Sequence, residues 1–129
     1  MNGSVIDTNV IIRMLNGDEA AINLLNTVGR AFIPIIVVGE LFYGAAKSTR
    51  RQENMELFRR AIDSFDGILT VDETVAESYG VIKFDLKKNG FTIPENDLWI
   101  AAVSHAHDLP LATFDEHFKH ISRIEVIPR

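Results

Sequence analysis

Short β-leaning runs alternate with longer stretches of helical periodicity along the whole of this 129-residue chain. Residues 3–6, 31–33, 68–71, 109–112 and 124–127 are rich in Val, Ile, Leu and Phe and read as strands. Strands of this length separated by helices cannot pair as hairpins. They return to the sheet by crossovers, which makes the sheet parallel and covers it with helices. The expected fold is therefore α/β, a three-layer sandwich in which a short central parallel sheet is covered by helices on both faces.

The helical segments are legible from spacing and punctuation. Val10, Ile11, Met14 and Leu15 repeat up to Asn16-Gly17, and Asp18 can cap a second helix whose Ala21, Ile22, Leu25 and Val28 form a stripe closed by Gly29. Pro34 suits the entry to a helix over 35–46 that is apolar on nearly every side and so is expected at the centre. Met55, Phe58, Ala61, Ile62 and Phe65 mark the next helix, ended by Asp66-Gly67. Thr74 and Glu77 have capping-box spacing ahead of Val75, Tyr79, Ile82 and Leu86, and Pro94 opens a helix that runs to about His107. A short helix is expected at 116–118. The length suits a single domain, 1–129, with one core.

Several classes fall away on composition. Thirteen Lys and Arg against 18 Asp and Glu give a net charge of −5, unlike a protein that grips nucleic acid by overall charge, although a local basic face could still do so. No cysteine is present, which excludes a disulfide scaffold and a thiol nucleophile and agrees with a reducing, cytoplasmic setting. The most apolar stretch, 31–46, is shorter than the ~20 residues of a spanning helix and is broken by Pro34, Gly39 and Gly44, so no membrane association is expected.

Four carboxylates lie in unusual settings. Asp7 is the one charge between Gly3 and Ile12, and Glu40 the one charge between Ala31 and Ala46. Asp97 opens an apolar helix, and Asp115 follows the apolar run 109–114. Asp7, Asp97 and Asp115 fall at strand ends or in first helical turns, which in a parallel sheet face one crevice. Glu40 reaches the same crevice if its helix starts beside it. Each could serve singly as a cap or a dipole partner. Together they point to a divalent cation, since clustered carboxylates repel, and oxygen ligands favour Mg²⁺ or Mn²⁺. Such ions serve phosphodiester hydrolysis. No phosphate loop, dinucleotide fingerprint or nucleophile elbow is present. His105, His107, His117 and His120 have spacings that form no zinc motif and read as surface or structural residues.

Val5-Ile6-Asp7-Thr8-Asn9, Gly39-Glu40-Leu41-x-Tyr43-Gly44, Asn96-Asp97-x-x-Ile100-Ala101-Ala102 and Thr113-x-Asp115-x-x-Phe118, in that order, resemble the motifs of PIN domains, in particular VapC-type toxins of toxin–antitoxin pairs. The resemblance spans essentially the whole chain. It implies a Mg²⁺-dependent endoribonuclease with Asp7, Glu40, Asp97 and Asp115 as catalytic and metal-binding residues, and Mn²⁺ as a possible substitute. It also implies an RNA substrate, a VapB-like antitoxin that blocks the site, and a homodimer. Thr8, Asn9 and Thr113 would be supporting polar groups, with helix capping an equal role for Thr8. One departure is Phe114, where the family often has a small or polar residue, which bears on the hydrogen bonds around Asp115.

Lys47, Arg50, Arg51, Arg59 and Arg60 hold much of the basic charge in a short span and could guide RNA, or could simply solvate a helix with Glu53 and Glu56. Apolar helices such as 35–46 and 21–28 exceed what a short sheet covers, which favours dimerisation. Two rival readings are a catalytically silent PIN-like partner-binding module and a haloacid-dehalogenase-like phosphatase. Asn9, standing where the latter needs a second Asp, speaks against the phosphatase.

Overall fold

A computed structural model describes residues 2–129. The chain runs β1 (Ser4–Ile6), α1 (Thr8–Leu15), α2 (Glu19–Thr27), β2 (Ala31–Pro34), α3 (Ile35–Ala46), α4 (Arg51–Asp63), β3 (Gly67–Leu69), α5 (Glu73–Lys88), α6 (Glu95–Ala106), β4 (Leu111–Ala112), a 3₁₀ turn (Glu116–His120) and β5 (Val126–Ile127). The strands form one sheet in the order β3-β2-β1-β4-β5, every pair parallel. Val5 sets the central register, opposite Phe32 on one side and Leu111 on the other.

This order carries a consequence for function. The chain builds outward from β1 through β2 to β3, then crosses back through α5 and α6 to start again at β4. Right-handed crossovers in the two directions put helices on opposite faces and leave a crevice beyond the carboxyl ends of β1 and β4, where the direction reverses.

The core is built from β1 and its neighbours. Val5, Ile6, Ile33, Ile100, Leu111 and Phe118 are fully or almost fully buried. Strands buried on both faces explain the continuous apolar runs in place of alternation. Gly29 and Gly90, at φ +70° and +78°, close α2 and α5 in the left-handed region where glycine carries no Cβ penalty.

Several elements differ in detail from the sequence-based expectation. Helix α1 starts at Thr8, since the Asp7 side chain accepts the Thr8 N–H and caps the helix directly at the strand end. The α2 stripe is rotated: Ala21 and Leu24 are buried while Ile22 is exposed. Helix α5 is capped by Asp72, whose carboxylate accepts the Val75 N–H at 3.0 Å, and no Thr74–Glu77 capping box forms. Strand β3 begins at Gly67, because Asp66 clasps the start of β2 with both its backbone N–H and its side chain. Helix α3 is not buried all round. Val37, Val38, Leu41 and Ala45 enter the core, whereas Ile35 and Tyr43 face solvent.

Candidate active site

Four elements deliver the four carboxylates. Asp7 follows β1 and caps α1, Glu40 lies halfway along α3, Asp97 is in the first turn of α6, and Asp115 follows β4 and caps the 3₁₀ turn. Asp7, Asp115 and Glu40 each act electrostatically on Asp97, and Glu40 and Asp115 act on Asp7. The crevice at the β1/β4 reversal is thus lined by carboxylates distant in sequence.

Asp7 is the most enclosed, 4% exposed. Burial is the main force raising its pKa above the usual carboxylate value, and the charges of Glu40 and Asp115 add to it. Hydrogen bonds work the other way. Asp7 Oδ1 accepts the Thr8 N–H at 2.8 Å, and Oδ2 accepts the Thr113 hydroxyl at 2.8 Å and the Asn9 amide at 3.2 Å. These donors fix the carboxylate plane.

Polar neighbours knit the other acids to the same frame. The Thr8 hydroxyl donates to Glu40 Oε1 at 2.7 Å, so Thr8 orients an acid and leaves the capping to Asp7. The Asn9 amide also donates to Thr113 Oγ1 at 3.2 Å, and its oxygen accepts the Phe114 N–H at 3.1 Å. Asn9 is thus a structural amide that supplies no second carboxylate beside Asp7, which speaks against the phosphatase reading. Thr113 Oγ1 in turn accepts the Asp115 N–H at 3.0 Å. Phe114 does not disturb this network, for its ring lies under the Arg13 guanidinium, 3.9 Å from the centroid.

Asp97 is pushed up to about 6, first by burial and then by Asp7, Asp115 and Glu40, with His117 pulling slightly downward. His117 is the neighbour that the sequence reading left on the surface. Its Nδ1 lies 3.2 Å from Asp115 and 3.8 Å from Asp97, and one ligand atom from each of the three residues falls within 4.8 Å of the others. The signal available was the short Asp115-x-His117 spacing. The turn capped by Asp115, whose Oδ1 accepts the His117 N–H at 2.9 Å, brings the histidine back over the carboxylates.

The donor set fits a divalent cation. Among the described residues no Lys or Arg forms an ion pair with any of the four acids, so their repulsion is uncompensated except by His117. The basic residues 47–60 are dispersed. Lys47 lines a groove with Glu40, Arg50 pairs with Glu53, Arg51 donates to the Ala46 carbonyl, Arg59 lies over Phe42, and Arg60 is exposed near the end of α4.

The same fold occurs in known proteins. The PIN-domain family model matches residues 4–124. Ribonuclease VapC2 of Haemophilus influenzae is 30% identical over 122 residues, 93% of this chain and 90% of that protein. The structure of DNA-bound VapBC from Salmonella typhimurium superposes with a TM-score of 0.88 at 27% identity, covering 98% of this chain and 97% of that one. VapBC2 of Rickettsia felis, bound to a promoter DNA fragment, gives 0.85 at 26% identity, over 95% and 96%. The chain belongs to the PIN-domain family and, within it, to the VapC ribonucleases.

Proposed function

We propose that residues 1–129 act as one PIN unit, a Mg²⁺-dependent endoribonuclease toxin of a VapBC-type pair, with Asp7, Glu40, Asp97 and Asp115 as catalytic and metal-binding residues. The observation that carries this reading is the convergence of four carboxylates, uncompensated by any Lys or Arg ion pair among the described residues, at the reversal point of a parallel sheet. A bound Mg²⁺, or Mn²⁺ in its place, supplies charge compensation at a phosphodiester and acidity at water. His117 would offer an imidazole to such an ion beside Asp97 and Asp115, a ligand that suits Mn²⁺.

The chain's own residues supply the positioning. Thr8, Asn9 and Thr113 hold Asp7 in one orientation, and the Thr8 hydroxyl does the same for Glu40. With water as nucleophile, the bond from phosphorus to O3′ breaks and the ends are 5′-phosphate and 3′-hydroxyl. Attack by the 2′-hydroxyl, which needs no cation, leaves a cyclic phosphate instead. Asp7→Asn keeps the shape of the side chain and its bond from the Thr8 N–H. It is expected to abolish RNA cleavage while the urea midpoint changes little. Undiminished cutting in EDTA, or cyclic-phosphate ends, overturns the mechanism.

Lys47, Arg50, Arg51, Arg59 and Arg60 are proposed to steer RNA toward the crevice, with Lys47 the one that lines its groove. Among the described residues no helix is long and apolar enough to cross a membrane, which is consistent with action in the cytoplasm. A VapB-like antitoxin is the partner, and a basic side chain set among the carboxylates is the simplest inhibitor, since it supplies the charge they lack. The working unit is a homodimer. Light scattering at micromolar concentration is expected to report twice the 14.5 kDa chain mass, and a monomer there removes the dimer from this reading.

A further inference from the structure

Neither the core nor the carboxylate network makes use of Tyr43, at 68% the most exposed large hydrophobic side chain among the described residues. It stands one turn beyond Glu40 on α3, ~4.5 Å along the axis, in a groove of about 660 Å³. The groove takes in Thr8, Glu40 and Asn96 at the carboxylate end, and Lys47 lies a further turn along. Lys47 Nζ is 4.9 Å from the Tyr43 ring centroid and forms no ion pair among the described residues.

Gly39 and Gly44, either side of Tyr43 in sequence, line the same groove. Glycine is the poorest helix former after proline, so two of them within a helix need a reason. Packing gives none, because a Cβ added at either would meet nothing within 4 Å beyond its chain neighbours and the adjacent backbone of its own helix. What the two glycines preserve is open space around an aromatic face beside the acidic centre.

We propose that Tyr43 is a stacking platform for an unpaired nucleobase of the RNA substrate, close to the bond that is cut, with Lys47 holding a neighbouring phosphate. The inference rests on the ribonuclease reading and deepens it, because it assigns a base-contacting residue outside the carboxylate centre. Every base offers a π-face to an aromatic ring, but only an unpaired base can present it. Lys47 favours RNA over an apolar peptide: it forms no ion pair among the described residues and so offers a phosphate a cation that an apolar peptide cannot use.

The test uses a single-stranded oligoribonucleotide containing 2-aminopurine, with Asp7→Asn as the background so that the probe stays intact. Binding is expected to quench the fluorophore when residue 43 is Tyr or Phe. In Tyr43→Leu the quenching is expected to vanish and Kd to rise about 10-fold. In the active protein Tyr43→Leu is expected to raise KM with kcat nearly unchanged. Gly44→Ala supplies the converse signature: a melting temperature higher by roughly 3–5 °C, as a better helix former should give, together with weaker RNA binding. Equal Kd and quenching in Tyr43→Leu overturn the platform and leave the ribonuclease reading standing. So does a Tyr43→Leu protein that binds RNA normally but no longer binds a protein partner or itself. Failure of the unsubstituted protein to cut any single-stranded RNA with Mg²⁺ present overturns the ribonuclease reading instead.

Discussion

Asp97 sits in the first turn of α6 with 16% of its side chain exposed, facing three other carboxylates. Its pKa rises from 3.8 to about 6, so the folded state resists ionisation more than the unfolded state does. Below pH 3.8 both states hold the proton and no penalty exists. Between pH 3.8 and about 6 the unfolded chain gives up its proton while the folded chain keeps it, and above 6 the accumulated loss of stability for this group is about 3 kcal/mol. Asp97→Asn is therefore expected to match the unsubstituted protein at pH 4 and to exceed it at pH 7.5, in urea titrations without divalent cation. Adding Mg²⁺ should close that gap, since a cation bound to the ionised cluster stabilises the folded state. Equal midpoints at both pH values would show that neither burial nor the neighbouring carboxylates penalise ionised Asp97 in the folded state. The identity of the acids was legible from their isolation in apolar segments, as Asp7 and Glu40 illustrate. The partners that orient them were less so. Thr113 is 106 positions from the carboxylate it serves, and no local pattern announces a bond across that distance.

At the scale of elements, periodicity located the helices, and errors gathered at their ends. Helix α5 is instructive because two caps compete within three residues. Thr74 with Glu77 matches the capping-box spacing, yet Asp72 takes the Val75 N–H and the helix begins at Glu73. A carboxylate one residue before the first turn satisfies an orphan N–H and also meets the positive end of the helix dipole, so it outcompetes a hydroxyl already inside that turn. Asp72→Ala is expected to cost about 1 kcal/mol in chemical denaturation, while Thr74→Ala falls within about 0.5 kcal/mol of the parent. The reverse ranking would restore the capping box. The burial of α3 was overestimated for a related reason. Its apolar residues fill most of the helical circle, but a sheet of strands only two to four residues long covers one side, and Tyr43 and Ile35 remain outside. Sheet order lay beyond sequence reasoning altogether. It is set by which crossovers bury the most surface, and the reversal between β1 and β4 is what makes Asp7 and Asp115 neighbours.

For the whole molecule, the charge balance sets the problem that RNA binding has to solve. A net charge of −5 repels a polyanion at long range, and the carboxylate crevice repels it most where it must bind. Attraction therefore has to come from local positive groups and from the cation. Lys47 lines the groove that reaches Glu40, whereas Arg50 and Arg51 are exposed at the turn from α3 into α4 and have weak or backbone partners that a phosphate can replace. Each phosphate neutralised by a side chain contributes about −0.7 to the slope of log K against log salt on a single strand. Lys47→Ala is thus expected to flatten that slope by about 0.7, and Arg50→Ala with Arg51→Ala by up to about 1.4. The measurement is RNA binding by Asp7→Asn protein at fixed Mg²⁺ across a range of KCl concentrations. Were the arginine pair to leave the slope unchanged while Lys47→Ala flattened it, guidance would reside in the groove alone and the broader basic face would be surface solvation. An unchanged slope in all of these variants would assign the attraction to the cation at the carboxylate centre.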